Sequence, residues 1–303
     1  MEEPASREEA RSRSTSRGGN PDDHAACSRR RSSMTPELVQ PLPVATSTTS
    51  RRWLHAWDVL VLLTLRDLKA QYKRSFLGFG WALGSPILQL IIFSTIFRNV
   101  LGSQIPHYPC FVYIGVLVWG WFQGALGQST GLITGNSALA RQPGFPLSLL
   151  PHVTVSVRLF HFIVAWPLLF GMLWYEGLHP TSAWWALPIL LALQYFLAVG
   201  LAYPLASLNA LHRDTQHIVA VLLQLMMFVT PVFYDIHVVP EELRHWFYLN
   251  PMTPLLEAWR AVLLKGEWPD TQSLWILSAV ALILIVGGRK IFIAQSHRFV
   301  EEM

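Results

Sequence analysis

The chain has 303 residues, of which 52% are hydrophobic and only 14% are charged, whereas a soluble domain carries about 25% charged residues. This composition argues against a soluble domain and for a membrane protein, and the 13 tryptophans agree because Trp favours the bilayer interface. The net charge of +4 does not indicate nucleic-acid binding. The two cysteines, Cys27 and Cys110, are far apart and indicate neither a disulfide framework nor a metal site.

Residues 1–50 form a polar tail of Arg, Ser, Glu, Pro and Thr with almost no apolar clustering. Such a segment cannot bury enough apolar surface to fold, so we expect it to be disordered. It lacks the apolar stretch of a secretory signal peptide. Met34 is an alternative candidate for the start of the protein.

Residues 51–77 are predicted to form an amphipathic helix. One face is apolar on a 3.6-residue period and carries Val61, Leu65, Leu68 and Tyr72. The adjacent face is basic and carries Arg66, Lys69 and Lys73. Each cation is worth about 1 kcal/mol on anionic headgroups, so we expect the helix to lie in the membrane interface. An ordinary helix of a soluble core is the alternative.

Six apolar segments follow in the region 78–303, and each is interpreted as a transmembrane span. They are residues 78–97, 110–133, 153–175, 183–208, 218–234 and 273–288. A span must cross a hydrocarbon core of about 30 Å, and the fifth segment is only just long enough. Glycines at the entrance to the first span allow the chain to turn inward from the interface helix.

Residues 235–270, between the fifth and sixth spans, are amphipathic. Asn250-Pro251 divides them into two short helical pieces, because proline ends the preceding helix. Neither piece is long enough to span, so re-entrant or interfacial helices are expected. The predicted fold is an all-α polytopic membrane protein with an amphipathic interface helix and about six transmembrane helices.

Six spans place both termini on one side of the membrane. From residue 51 onward, twelve Lys and Arg residues fall on that side, and only four fall on the other: Arg98, Arg244, Arg260 and Lys265. The positive-inside rule therefore predicts cytoplasmic termini.

The sequence contains no P-loop and no zinc-protease, serine-hydrolase or paired-cysteine motif. We therefore predict no catalytic residue, metal site or cofactor in this chain. The spans carry almost no charge, which argues against an ion-coupled carrier. His161, near Arg158, fits helix packing better than a proton relay. The energy for any transport would have to come from a partner.

Four stretches resemble the type 2 ABC-transporter permeases that export O-antigen, capsular polysaccharide or teichoic acid. The first holds Leu65-Arg66-Asp67-Leu68-Lys69, Tyr72-Lys73-Arg74-Ser75, Leu77-Gly78, Trp81 and Pro86. The second holds Gly115, Trp119 and Phe122, and the third holds Phe145-Pro146 and Leu150-Pro151. The fourth holds Arg213-Asp214, Thr230-Pro231-Val232-Phe233-Tyr234, Asn250-Pro251 and Arg260. The family often has lysine shortly before the Phe-Pro pair, and here Arg141 is the nearest basic residue.

The resemblance implies a bacterial inner-membrane complex of two copies of this chain and two separate ATPase subunits, which would bind ATP and Mg²⁺. Residues 136–151 would hold the coupling helix, with Arg141, Phe145 and Pro146 near the ATPase. Residues Arg66, Asp67 and Lys69 would belong to a gate helix that also meets the ATPase, with lipid anchoring alone as the alternative.

The resemblance also implies roles for two further sets of residues. Arg213-Asp214 would brace the ATPase interface, with a solvated loop pair as the alternative. Residues 235–270 would form an outer gate that includes Asn250, Pro251 and Arg260.

The substrate would be a lipid-linked glycan, and aromatic faces suit weak, repeated contacts with sugars. Trp119, Trp121 and Phe122 are the candidate channel residues, with lipid-facing or interface aromatics as the alternative. Two competing functions are a type 2 permease for a drug or small lipid and a polytopic membrane glycosyltransferase. The only adjacent acids outside the tails, Glu241-Glu242, fall on the outer side of the predicted topology.

Overall fold

The computed structural model describes residues 49–73, 80–96, 105–142 and 145–301, and these residues form helices and contain no β-strand. The helices of the first half are α1 (Thr49–Tyr72), α2 (Gly80–Ser94), α3 (Tyr108–Thr130), α4 (Leu132–Gly135), α5 (Ser137–Ala140), α6 (Leu150–Val164) and α7 (Trp166–Tyr175). Those of the second half are α8 (Leu187–Leu211), α9 (Thr215–Val229), α10 (Glu241–Tyr248), α11 (Met252–Arg260) and α12 (Thr271–Glu301). Short 3-10 helices lie at Leu147–Leu149, Ser182–Ala186 and Ile236–Val238, and a π-helical turn lies at Ala261–Lys265.

Four helical segments are long and apolar enough to cross a membrane: Tyr108–Thr130, Leu147–Tyr175, Ser182–Leu211 and Thr271–Ser296. They coincide with the predicted second, third, fourth and sixth spans, so the prediction of an all-α polytopic membrane protein is confirmed.

The predicted first and fifth spans fall on shorter helices. Helices α2 and α9 have 15 residues each, which is about 22 Å at 1.5 Å per residue and less than a hydrocarbon core of about 30 Å. Residues 74–79 and 97–104, on either side of α2, lie outside the described residues. The count of six spans therefore stays a prediction.

Helix α3 lies at the centre of the bundle, and its residues 110–119 are all buried. Helices α8 and α12 pack backbone to backbone beside it. A Cβ added to Gly288 would lie 2.5 Å from the carbonyl oxygen of Gly200, and one added to Gly200 would lie 2.8 Å from Leu284 Cβ. Glycine at both positions is what lets these two long helices approach so closely.

Helix α1 packs along α6 through a small cluster of Leu68, Val153 and Val157. Two members of the predicted apolar face, Val61 and Leu65, are instead exposed, at 38% and 47%. Helix α1 therefore has one apolar side against the bundle and a second that faces outward, as expected for a helix at a membrane surface.

The segment 235–270 contains two short helices, α10 and α11, separated at Asn250-Pro251 as predicted. Helix α10 has no buried residue, whereas most of α11 is buried in the bundle. Whether this segment re-enters the membrane stays a prediction. The predicted disordered tail, including Met34, lies outside the described residues except for its last two positions.

Candidate functional site

One end of the bundle carries the linker between α3 and α6, residues 131–149. Arg66 on α1 donates a hydrogen bond from Nη2 to Asn136 Oδ1 at 3.2 Å and forms an ion pair with Asp67 at 2.8 Å. Asn136 in turn donates to the carbonyl of Leu132 at 3.0 Å. The Arg66–Asp67 ion pair is half-exposed and adds little to stability. The Arg66–Asn136 hydrogen bond joins the predicted gate helix to the predicted coupling link.

The predicted coupling residues differ in how far they face outward. Lys69, Arg141 and Pro146 are exposed, whereas Phe145 is half-buried and packs against the core. The other end of the linker is held by Tyr203 on α8, whose hydroxyl donates to the carbonyl of Ser148 at 2.9 Å. The linker is therefore attached to both α1 and α8, and its single charged residue, Arg141, is exposed.

The turn between α8 and α9 lies at the same end of the bundle. Arg213 and Asp214 are exposed there, and among the described residues neither forms an ion pair. The start of α9 is capped by Asn209, whose Oδ1 accepts from the Gln216 amide at 3.0 Å. Gln216 also reaches within 3.8 Å of a Cβ built on Gly131. The structure thus brings the Arg213-Asp214 turn next to the linker.

A partly buried arginine lies close to this surface. Arg158 on α6 donates from Nε to Gln128 Oε1 at 3.0 Å and packs over Gly124, where an added Cβ would lie 3.3 Å from Arg158 Cδ. One turn further, the His161 ring meets Tyr72 edge-on at 5.8 Å. His161 thus packs between α1 and α6.

The predicted channel residues Trp119, Trp121 and Phe122 lie inside the chain's own core, at 1%, 3% and 5% exposure. Trp121 stacks on Phe162 at 5.0 Å and donates to the carbonyl of Val155 at 3.4 Å. Trp119 donates to Gln123 at 3.0 Å. Within one chain the three rings are therefore covered by the helices that pack around α3, and their role as channel residues stays a prediction.

The opposite end of the bundle is organised around Arg260, which is 5% exposed. Its guanidinium donates to the carbonyls of Pro231 at 2.6 Å and Val232 at 2.7 Å, and lies 3.4 Å over the Phe111 ring. Buried cations require such compensation, because desolvation is costly. Arg260 therefore fixes the end of α11 to the turn after α9 and to α3.

Gly115 on α3 allows Arg260 and the turn after α9 to lie close to this helix. An added Cβ would lie 2.7 Å from the Val232 carbonyl oxygen and 2.9 Å from Arg260 Nη2. We call Gly115, Thr230, Val232, Asn250 and Arg260 the gate cluster. It joins the second and fourth of the stretches that carried the family resemblance.

Asn250 and Pro251 hold the start of α11 in the same cluster. Asn250 donates from Nδ2 to Thr230 Oγ1 at 2.7 Å and accepts from the Met252 amide at 3.0 Å. Pro251 stands at the N-cap of α11. The predicted outer-gate residues Asn250, Pro251 and Arg260 are thus brought together, and their role in gating stays a prediction.

Sequence reasoning missed Gln194 on α8, which has no exposed surface. Its Nε2 donates to the carbonyl of Val118 at 2.8 Å, and its Oε1 accepts from Trp259 Nε1 at 3.1 Å. Gln194 therefore bridges α8, α3 and α11. The available signal was a single amide inside an apolar span, where polar side chains commonly join helices.

The fold defines a polytopic helical membrane protein. The linker between α3 and α6 lies at one end of the bundle, and helix α11 is fixed by hydrogen bonds at the other end. The sequence profile of the ABC-2 type transporter family matches residues 58–264, from α1 to the turn after α11. The chain belongs to the ABC-2 type transporter family.

Curated relatives cover most of the chain. An O-antigen export system permease protein of Myxococcus xanthus is 32% identical over 81% of this chain and 95% of its own length. An O-antigen export system permease protein of Klebsiella pneumoniae is 29% identical over 82% of this chain and 95% of its own length. A polysialic acid transport protein of Escherichia coli is 23% identical over 76% of this chain and 90% of its own length.

Proposed function

We propose that this chain is the channel-forming subunit of an ABC transporter that exports a lipid-linked polysaccharide of the O-antigen type across a bacterial inner membrane. The observation that carries the proposal is the 32% identity, over nearly the whole length of the relative, to an O-antigen export permease. Relatives of lower identity, 23% and 20%, are named as proteins of polysialic acid transport and capsule polysaccharide export. None of the relatives given above carries the name of a drug permease or a glycosyltransferase, which favours glycan export over the two competing functions.

A separate ATPase subunit would supply the energy and hold ATP and Mg²⁺. We place its contact on the linker surface, which comprises Arg66, Asp67, Lys69, Arg141, Pro146, Arg213 and Asp214. These residues are gathered at one end of the bundle, and most of them are exposed. A push on this linker would move α3 and α6 directly, α1 through Arg66–Asn136, and α8 through Tyr203–Ser148.

The proposed assembly contains two copies of this chain and two copies of the ATPase, with the channel between the copies. Both termini and the linker surface would lie in the cytoplasm, as the distribution of Lys and Arg favours. The gate cluster would then lie on the outer side. Its hydrogen bonds hold α11 against α3, so opening an exit would require the Arg260 contacts to move as one unit.

Deletion of the chain in its host tests the proposal. We expect the cell surface to lose its glycan and lipid-linked glycan to accumulate inside, with both effects reversed by the wild-type chain on a plasmid. Glycan immunoblots of intact and lysed cells measure the two pools. Normal surface glycan in the deletion strain would refute glycan export, and altered drug sensitivity with normal glycan would favour the drug or small-lipid permease.

A further inference from the structure

A cavity of about 370 Å³ opens beside the gate cluster, at the end of the bundle opposite the linker. It lies between α11, the start of α3, the turn after α9 and the start of α12. Its floor is apolar and includes Phe111, Ala258 and Leu264. Its polar lining is formed by His107, Asp235, His237, Tyr248, Glu257, Arg260, Lys265, Asp270 and Ser273. A cavity of this size lies at the lower end of the range for small-molecule sites, about 300–1,000 Å³.

Polar groups in this lining have hydrogen-bonding capacity that the fold does not use. Arg260 is 5% exposed, its two terminal nitrogens bind backbone carbonyls, and its Nε has no partner among the described residues. Glu257 accepts from the Tyr248 hydroxyl through Oε2 at 2.9 Å, and Oε1 has no partner in the described part of the chain. Arg260 Nε is enclosed by the protein and is out of reach of a ligand, so the acceptor left for one is Glu257 Oε1, and this arrangement indicates a ligand that donates hydrogen bonds.

The charged side chains around the cavity limit the kinds of ligand that can bind there. Carboxylates of Asp235, Glu257 and Asp270 are interspersed with the cations of Arg260 and Lys265 around the cavity. A phosphate would meet three carboxylates, and an acidic sugar would meet the same repulsion. A metal ion is not favoured either, because the described residues contain no group of three His, Cys, Asp or Glu side chains placed to hold one. An uncharged molecule with hydroxyl groups and an apolar face fits best.

We propose that this cavity binds one uncharged sugar residue of the glycan at the exit of the transporter. The inference rests on the proposed function and adds to it a specific outer site. Hydroxyl groups of the sugar donate to Glu257 and Asp235, and the apolar face of the sugar lies against the apolar lining of the cavity. Occupancy would hold the leaving chain beside the gate cluster and disfavour its return.

Saturation-transfer NMR on the full chain in lipid nanodiscs tests this site. The probes are the methyl glycosides of mannose, galactose and rhamnose, with glucuronate and methyl phosphate for comparison. We expect transfer to at least one of the three neutral glycosides. The double variant Asp235→Asn, Glu257→Gln should weaken that binding about tenfold, because it removes two charged acceptors. Ala261→Leu, which fills the cavity without touching a charge, should abolish it.

The matched control is Glu241→Gln, Glu242→Gln, which removes two carboxylates from the same segment outside the cavity lining and should leave binding unchanged. Gel filtration shows whether each variant is folded, and Ala261→Leu decides the question if the double variant is not. Absence of transfer to all three glycosides, equal transfer in the cavity variants, or stronger transfer to glucuronate or methyl phosphate overturns the site. The proposed function is tested separately by glycan export from cells, so a chain that supports export without these results refutes the cavity alone.

Discussion

Gly115 sets how closely the turn after α9 can approach α3. An added methyl group would lie 2.7 Å from a backbone carbonyl and 2.9 Å from Arg260, neither of which can move without breaking the gate cluster. We expect Gly115→Ala to destabilise the protein by about 1–3 kcal/mol, measured as a lower unfolding temperature of the purified chain in detergent.

Gly120→Ala is the matched control, since it lies on the same helix and a Cβ there would meet nothing within 4 Å. Alanine is a better helix former than glycine, so this control should leave the unfolding temperature unchanged or raise it. Equal effects of the two substitutions would contradict the close approach at Gly115.

Glu257 gives the outer segment a dependence on pH. Burial raises the pKa of its carboxyl above the ordinary value, and the hydrogen bond from Tyr248 opposes this only in part. A raised folded-state pKa means that the protonated form favours the folded state, so its contribution is present at low pH and is lost as the pH rises through the folded pKa. Glu257→Gln should therefore raise the unfolding temperature at pH 7, and the gain should shrink as the pH is lowered.

The comparison for that experiment is Glu242→Gln. Glu242 is exposed on α10, so its replacement should shift the unfolding temperature little across the same pH range. A pH-independent effect of Glu257→Gln would contradict the role of burial.

The linker between α3 and α6 is short and is fixed at several points. Arg66 binds it through Asn136, Tyr203 binds it through Ser148, and Phe145 packs against the core. Such an element has little freedom of its own, so a force applied to its exposed face is passed to the attached helices. This is the property that a coupling element requires.

The exposed linker residues Arg141 and Pro146 give the sharpest test of ATPase contact. We expect Arg141→Glu combined with Pro146→Ala to reduce co-purification of the partner ATPase at least tenfold, because a cation and a shaped backbone are both removed from the contact. Phe145 is left unchanged, since it packs inward. Lys265→Glu, the same charge reversal at the other end of the bundle, should leave co-purification unchanged. Unaltered binding by the double variant would remove these residues from the coupling role.

The whole chain divides into a tightly packed interior and a broad apolar exterior. Helix α3 is enclosed, whereas α9 and α12 expose large side chains such as Leu222, Phe228, Ile283 and Trp275. An apolar surface of this extent is stable only against lipid or another subunit. The protein is therefore suited to a membrane or to contact with another subunit along its sides, and soluble partners can bind at its two ends.

A transport subunit of this kind should not hydrolyse ATP alone. Phosphate release from the purified chain in nanodiscs should match empty nanodiscs, and turnover should begin when the partner ATPase is added. With the Arg141→Glu, Pro146→Ala variant, addition of the partner ATPase should not start this ATP turnover. Intrinsic hydrolysis by the chain would refute the division of labour.

The amino-acid sequence by itself determined the membrane class, the position of four spans and the break at Asn250-Pro251. Long apolar runs and proline act locally, so their effects can be predicted without knowing the rest of the fold. The resemblance of its motifs to the permease family was confirmed for the same reason, since those motifs are local strings of residues.

Only the tertiary structure decided which side of each span is buried. A helix that is apolar all round has no period to separate its protein-facing side from its lipid-facing side, because both environments are apolar. Trp119, Trp121 and Phe122 could therefore not be placed from the sequence, and they lie in the core. The contacts of Arg260, Gly115 and Gln194 could not be predicted from the sequence either, because each residue joins helices that are far apart along the chain.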